Sequence, residues 1–217
     1  MISVDLVSDP VCPWCWLGLR YWRAARALVP EVEVETVFRP YQLDPAIPQA
    51  GLPYGAYMKS KFSGEHSDRY KAMRAHLEEA GPEVGIVFNF DEIEIRPNTL
   101  DAHRLIRWAQ GQGLAEDMAD ALHRAFFEER RNLTDRAELA EIAAETGLDG
   151  DVITDLLASD RDADAVLREE QFYRSLGVQG VPCFIFNGRF AVGGAEAPEQ
   201  LAAAIKKAAD MPPAPDA

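Results

Sequence analysis

Cysteine is scarce in this chain, with three among 217 residues. Three thiols cannot form a framework in which every cysteine is paired, so a disulfide-stapled scaffold is excluded. Histidine is nearly as scarce: His66, His76, His103 and His123 are scattered along the chain. Long apolar runs are missing, and no stretch approaches the ~18–20 residues that a membrane span needs. The opening Met1-Ile2-Ser3-Val4-Asp5-Leu6-Val7 lacks a basic region, a long apolar region and a small-residue cleavage site. A cytoplasmic location without membrane attachment is therefore expected. Basic charge is also short, 22 Lys and Arg against 36 Asp and Glu, a net charge of −14. Such a surface repels phosphate backbones, which argues against nucleic acid as a partner. What the chain does have is apolar mass: 47% of its residues are hydrophobic. That supports one large globular domain, or a smaller core carrying an inserted second domain.

The pattern along the chain has two strand-rich ends. Residues 2–8 alternate apolar and polar at the strand period, and Asp9-Pro10 ends the run. Over 13–28, Trp14, Leu17, Tyr21, Ala25 and Leu28 recur at helical spacings, with Pro13 suited to the first helical position and Pro30 beyond the end. Residues 32–38 alternate again, which makes a β–α–β unit with parallel strands. Pro40, Pro45, Pro48 and Pro53 mark a non-helical connector. From about 54 to 176 the chain reads as mostly helical, with caps at Asn98-Thr99 and Thr134 and a further helix over 160–176. Val87–Ile95 is the one strand expected within this block. Then Cys183–Phe186 forms an apolar run, Asn187-Gly188 signals a two-residue hairpin, and Phe190-Ala191-Val192 returns. Pro198 opens a last amphipathic helix, and the tail Met211–Ala217 is expected to fray. Neither end closes a core alone. The expectation is an α/β thioredoxin-like fold, β-α-β … β-β-α, with a large all-helical insertion. Residues 1–50 and 178–217 form the discontinuous thioredoxin-like domain in this reading, and 51–177 the insertion.

The chemistry centres on Cys12 and Cys15. The Cys-x-x-Cys spacing sets two sulfurs one helical turn apart, with Cys12 at the helix N-cap and Cys15 inside the first turn. The first amides of a helix have no intrahelical partner and favour an anion. In such motifs the first cysteine falls to a pKa of roughly 3.5–7.5, against about 8.5 for a free thiol. Cys12 is thus expected to attack a disulfide, or to accept attack when oxidised, and Cys15 to resolve the mixed disulfide. A zinc half-site is the competing reading. Tetrahedral zinc needs four ligands, usually two such pairs, and only Cys183 and the scattered histidines remain, so no metal is expected. Gly180-Val181-Pro182, just before a strand, suits a loop with a cis X–Pro bond; an ordinary trans turn carries the same letters. If the bond is cis, the Val181 backbone faces the Cys12 sulfur and can pair with an extended substrate chain.

These segments together resemble the DsbA family. Val11-Cys12-Pro13-Trp14-Cys15, Gly180-Val181-Pro182 and the helical block between them carry the resemblance. Phe38-Arg39-Pro40-Tyr41-Gln42-Leu43-Asp44-Pro45 and Asn98-Thr99-Leu100-Asp101-Ala102-His103-Arg104 are similar to its cytosolic FrnE-type branch. That branch is related to 2-hydroxychromene-2-carboxylate isomerases and kappa-class glutathione transferases. The resemblance implies a thiol–disulfide oxidoreductase acting on protein or peptide substrates, with no tightly bound cofactor and glutathione as a candidate co-substrate. It implies Cys12 as nucleophile and Cys15 as resolving thiol. Pro13, Trp14, Val181 and Pro182 are assigned to substrate contact. Pro13-Trp14 replaces the Pro-His of periplasmic relatives and offers no imidazole to the thiolate. The expected potential is therefore more reducing than the ~−120 mV of DsbA, towards the ~−270 mV of thioredoxin.

Other residues read more plainly. Cys183 is expected as a buried strand thiol, His103 as structural, and Trp16, Leu17, Trp22, Phe126 and Phe127 as core. Trp14 is expected exposed beside the sulfur, or packed near Tyr41. Glu128–Arg131 reads as a solvated face. Two rivals stand beside disulfide exchange: a glutathione-dependent isomerase or transferase of small aromatic carboxylates, and a binding module with incidental thiols. Relatives of the first kind typically lack the paired cysteines, which Cys12 and Cys15 supply here.

Overall fold

The computed structural model describes residues 1–64 and 66–212. The central strand, β1 (Ile2–Ser8), forms over the residues whose alternation marks it: Ile2, Val4 and Leu6 are buried and Ser3 is exposed. Its neighbour β2 (Val34–Pro40) runs parallel, in register from Ile2↔Val34 to Ser8↔Pro40. The ladder starts two residues later than the expected 32, because the Val32 N–H is engaged in a turn with the Val29 carbonyl at 3.0 Å. On the other side of β1 lie antiparallel β5 (Cys183–Phe186) and then β6 (Phe190–Gly193), giving the order β2-β1-β5-β6. Asn187 (φ 50°) and Gly188 (φ 65°) both adopt the left-handed backbone that a tight hairpin requires.

Helix α1 (Pro13–Ala27) lies on this sheet. Trp16, Leu19, Trp22 and Ala25 form its buried face, at the i, i+3 spacing that builds an apolar stripe. The Trp22 indole packs against Phe184 (5.3 Å between ring centres), and its Nε1–H donates to Thr36 Oγ1 at 3.0 Å. Helix α9 (Pro198–Ala209) packs beside α1 through fully buried Leu201 and Ile205. Strands from both ends of the chain thus share one mixed sheet.

Between them run α2 (Tyr54–Lys61), α3 (His66–Ala80), α4 (Leu100–Gln110), α5 (Ala115–Phe127), α6 (Arg136–Glu145), α7 (Gly150–Leu157) and α8 (Ala163–Ser175). The strand expected over Val87–Ile95 does not form. Asn89 donates its N–H to the Phe127 carbonyl (2.9 Å) and its Nδ2 to the Glu128 carbonyl (2.7 Å), so the backbone there serves the end of α5. Pairing is confined to β4 (Ile95–Arg96) against β3 (Leu52–Pro53). The cap expected at Thr134 is Asp135, whose Oδ1 accepts the Ala137 N–H at 2.8 Å. The helix expected from 160 begins at Ala163, after Asp162 at φ 63°. Glu128–Arg131 is a turn whose Glu129 and Arg130 are exposed, the solvated face expected; Arg130 sits at φ 62° and the Arg131 guanidinium is held by Glu138 and Glu145 of α6.

One buried side chain knits the helices. Arg104 donates to the carbonyls of Leu156 (2.8 Å), Ser159 (2.7 Å) and Arg161 (2.8 Å), and to Asp101 (2.6 Å). It adds a donor to carbonyls where α7 ends and the turn towards α8 begins; that of Leu156 also accepts the Ser159 N–H at 3.2 Å. Among the described residues no helix is long and apolar enough to cross a membrane. Of the tail expected to fray, residues 213–217 lie outside the described residues.

Candidate active site

Cys12 is the N-cap of α1, with an extended backbone (φ −97°, ψ 112°) and Pro13 in the first turn. Its side chain makes no capping hydrogen bond, and the first turn holds no acidic residue. The helix start therefore presents amides without a side-chain acceptor beside the sulfur, a locally positive field. Both cysteines are buried, Cys12 at 3% and Cys15 at 2% exposure. Cys12 and Cys15 are both free thiols. Burial pushes the Cys15 pKa well above the usual thiol range, and the neighbouring Cys12 adds to the rise. Cys15 is held as a neutral thiol within reach of the first sulfur.

The loop before β5 faces this pair. The Cys12 Sγ lies 3.7 Å from the Val181 carbonyl oxygen, across 169 positions of sequence, and the Val181–Pro182 bond is cis. Pro182 is buried and its carbonyl accepts the Gly194 N–H at 2.8 Å. Its ring presses on α1 at Gly18, where a Cβ would lie 2.9 Å from Pro182 Cγ. Gly18 is what lets the loop approach the helix one turn past the cysteines. Cys183 pairs with Val7 in the sheet and packs with Tyr41 and Tyr173; burial raises its pKa too. It has the surroundings of an inert strand thiol. Trp14 is half-buried and not exposed as expected. Its ring stacks on His76 of α3, 5.4 Å between centres, and not on the connector at Tyr41.

Behind the cysteine loop lies a buried polar network that the pattern of residue types did not reveal. Asp9 is fully buried; it accepts the Leu43 N–H at 2.7 Å and the Val11 N–H at 3.4 Å. His103 Nε2 lies 3.2 Å from the Tyr41 carbonyl and 3.9 Å from Asp9. Burial lowers the His103 pKa, against the opposing pull of Asp9 and Glu170. The bond to a carbonyl requires the proton on Nε2. Glu170 receives the Gln42 N–H (2.9 Å) and Nε2 (2.8 Å), while Arg174 binds both Glu170 (2.7 Å) and the Gln42 carbonyl (2.6 Å). The segments at 38–45 and 98–104 meet here and hold the loop that carries Cys12.

In front of Cys12 the surroundings change. A cavity of about 260 Å³ opens between α1, α2 and α3, lined by Cys12, Trp14, Tyr57, Phe90, Arg96 and Val181 among others. Pro13 is also on its wall. Arg96, from β4, donates Nη1 to the Val11 carbonyl at 3.2 Å. Among the described residues no three of His, Cys, Asp and Glu gather as a metal ion would require.

Comparison with known proteins agrees with this architecture. Residues 3–206 match the model of the DSBA-like thioredoxin domain. The uncharacterised protein YwbO of Bacillus subtilis is 24% identical over 196 residues, 89% of this chain and 91% of that protein. A probable DsbA oxidoreductase of Streptomyces coelicolor superposes with a TM-score of 0.88 at 28% identity, covering 100% of this chain and 94% of its own. The cytosolic disulfide reductase DsbM of Pseudomonas aeruginosa, solved with GSH, shares the fold at 17% identity (TM-score 0.71; 96% and 100% covered). From Ser3 to Ile205 and one residue beyond, this chain belongs to the DSBA-like thioredoxin domain family of oxidoreductases.

Proposed function

We propose that the chain is a thiol–disulfide oxidoreductase that exchanges disulfides with protein or peptide substrates, Cys12 being the nucleophile and Cys15 the resolving thiol. The observation that carries this reading is the pair of free thiols at the start of α1, with the Val181 carbonyl of the cis-proline loop 3.7 Å from the Cys12 sulfur. The Cys12 thiolate attacks one sulfur of a substrate disulfide; that sulfur bonds to Cys12 and its partner leaves as a thiolate. Cys15 then attacks the Cys12 sulfur, forming the Cys12–Cys15 disulfide, and its proton goes to the departing sulfur. The substrate gains two electrons and the protein loses them; run in reverse, the same steps oxidise a dithiol. Val181 and Pro182 supply backbone against which an extended substrate lies, and Pro13 and Trp14 its apolar floor. Glutathione serves as a co-substrate in recycling, and no tightly bound cofactor is needed. Residues 1–50 with 178–217 act as the exchange domain, 51–177 as the insertion that walls the site, and the protein works in the cytoplasm.

The test is insulin reduction and refolding of scrambled ribonuclease by the wild type, Cys12→Ser and Cys15→Ser. Cys12→Ser is expected to fall to the uncatalysed background, and Cys15→Ser to accumulate a mixed disulfide at Cys12. Unchanged activity in both variants removes the reading.

A further inference from the structure

Arg96 stands out against the rest of the molecule. Charged side chains are rarely fully buried unless paired, yet Arg96 is 5% exposed and makes no ion pair among the described residues. Its Nη1 donates to the Val11 carbonyl, its guanidinium lies 5.4 Å from the Tyr57 ring centre, and its buried Nε finds no acceptor. The same side chain lines the cavity in front of Cys12. Lys61, the other cation on that wall, is already engaged by the Tyr57 hydroxyl (2.6 Å) and Asp44 (3.9 Å). Among the described residues no carboxylate lines this cavity, although the chain carries 36. The remaining wall is aromatic and aliphatic: Trp14, Tyr54, Phe62, Met73, Phe90 and Phe127.

An apolar chamber with one unpaired guanidinium has a definite complement. The planar fork of arginine matches a carboxylate in two hydrogen bonds, and the aromatic wall takes a flat apolar body. About 260 Å³ lies just under the ~300–1,000 Å³ usual for small-molecule sites, room for one ring and its substituents. The Cys12 sulfur forms part of the same wall. We infer that this cavity is an anion-selecting apolar subsite, and that the preferred small substrates of Cys12 are disulfides of aryl thiols bearing a carboxylate, bound through Arg96. The inference rests on the exchange reading above and names a substrate class for it. Cys12 attacks the near sulfur of such a disulfide and releases one carboxylated thiolate. Cys15 releases the second and closes the Cys12–Cys15 disulfide, two electrons passing from the protein to the substrate.

Single-turnover oxidation of the reduced full-length protein tests this with three reagents. Dithiobis(nitrobenzoate) is aryl and anionic, dithiodipyridine is aryl and uncharged, and oxidised glutathione is anionic without an aryl body. The readout is the ratio of rates between reagents, since any change in the cysteines themselves moves all three. Arg96→Gln is expected to lower the rate with dithiobis(nitrobenzoate) about tenfold relative to dithiodipyridine, the loss expected for a charge-assisted hydrogen bond. Arg96→Lys restores part of it. A ratio unchanged from wild type overturns the inference, leaving Arg96 as the prop of the Val11 carbonyl. An equal relative loss with oxidised glutathione overturns the apolar part of it. Failure of both aryl reagents to form the Cys12–Cys15 disulfide in the wild type sinks the exchange reading instead. Should the variants not fold, the wild type decides alone: naphthoate is expected to protect Cys12 from alkylation, and equal protection by its methyl ester overturns the role of the carboxylate.

Discussion

The two sides of the cysteine loop are built on opposite principles. Behind it, Asp9, His103, Gln42, Glu170 and Arg174 engage one another or nearby backbone at short range, and these groups are almost wholly buried apart from Arg174. In front, the wall is apolar and its one deeply buried cation has a single backbone partner. A network whose hydrogen bonds are made holds a shape, because losing any member strands the rest. A chamber with an unpaired charge holds little by itself and has capacity left for a ligand. The difference separates groups that fix the Cys12 loop from groups that choose what meets it.

The largest effect that sharpens this contrast is expected behind the loop. Glu170→Ala removes the carboxylate that the Arg174 guanidinium and the Gln42 amide share, leaving Arg174 the Gln42 carbonyl, and is expected to cost about 3–5 kcal/mol in urea unfolding. A loss below about 1 kcal/mol would break the distinction between the two sides. Acid gives a further measure. His123 is fully buried, its Nδ1 2.6 Å from the Ala119 carbonyl and its Nε2 without a partner, and burial lowers its pKa to about 4. A histidine whose folded pKa is depressed binds its proton more weakly in the native state, so stability is full above the unfolded value of about 6.5 and drains as pH falls towards 4. The loss is about 3 kcal/mol near pH 4, and His123→Phe is expected to abolish that part of the acid slope. His103, with Asp9 and Glu170 pulling its pKa back up, shares the direction. Thermal unfolding across this pH range compares the two; a slope unchanged in His123→Phe would assign the acid sensitivity elsewhere. The smallest effect belongs to the front. Gly18→Ala forces a methyl group against the Pro182 ring, at about 1–3 kcal/mol in stability. It is expected to shift the Val181 carbonyl and to slow insulin reduction more than its cost in stability explains.

Much of the sheet was legible in the sequence because its signals are local. The alternation of residues 2–8, Pro13 at the helix start, and Asn187-Gly188 between two apolar runs each state their structure within a few residues. Cys12 and Cys15 read easily for the same reason. What escaped depends on distant partners. Val87–Ile95 has strand-like residues, but Asn89 spends its hydrogen bonds on the end of α5. Trp14 reads as exposed or packed near Tyr41 until α3 brings His76 onto it. Asp9 looks like the end of a strand, and only Leu43 and His103, dozens of residues away, make it a buried anchor. Arg96 carries no motif at all; its meaning lies in its burial beside Cys12 with no ion pair among the described residues.

The pairing of Val7 with Cys183 has a consequence for when this chemistry can begin. The strand leading to the cysteines and the strand following the proline are neighbours in space but come from opposite ends of the polypeptide. During synthesis the thiols leave the ribosome early, while the carbonyl that confronts them arrives some 169 residues later. Contacts of such long sequence separation form late, after the chain between them is ordered. A growing chain therefore carries both cysteines well before the carbonyl that faces them, which takes its place when the sheet closes.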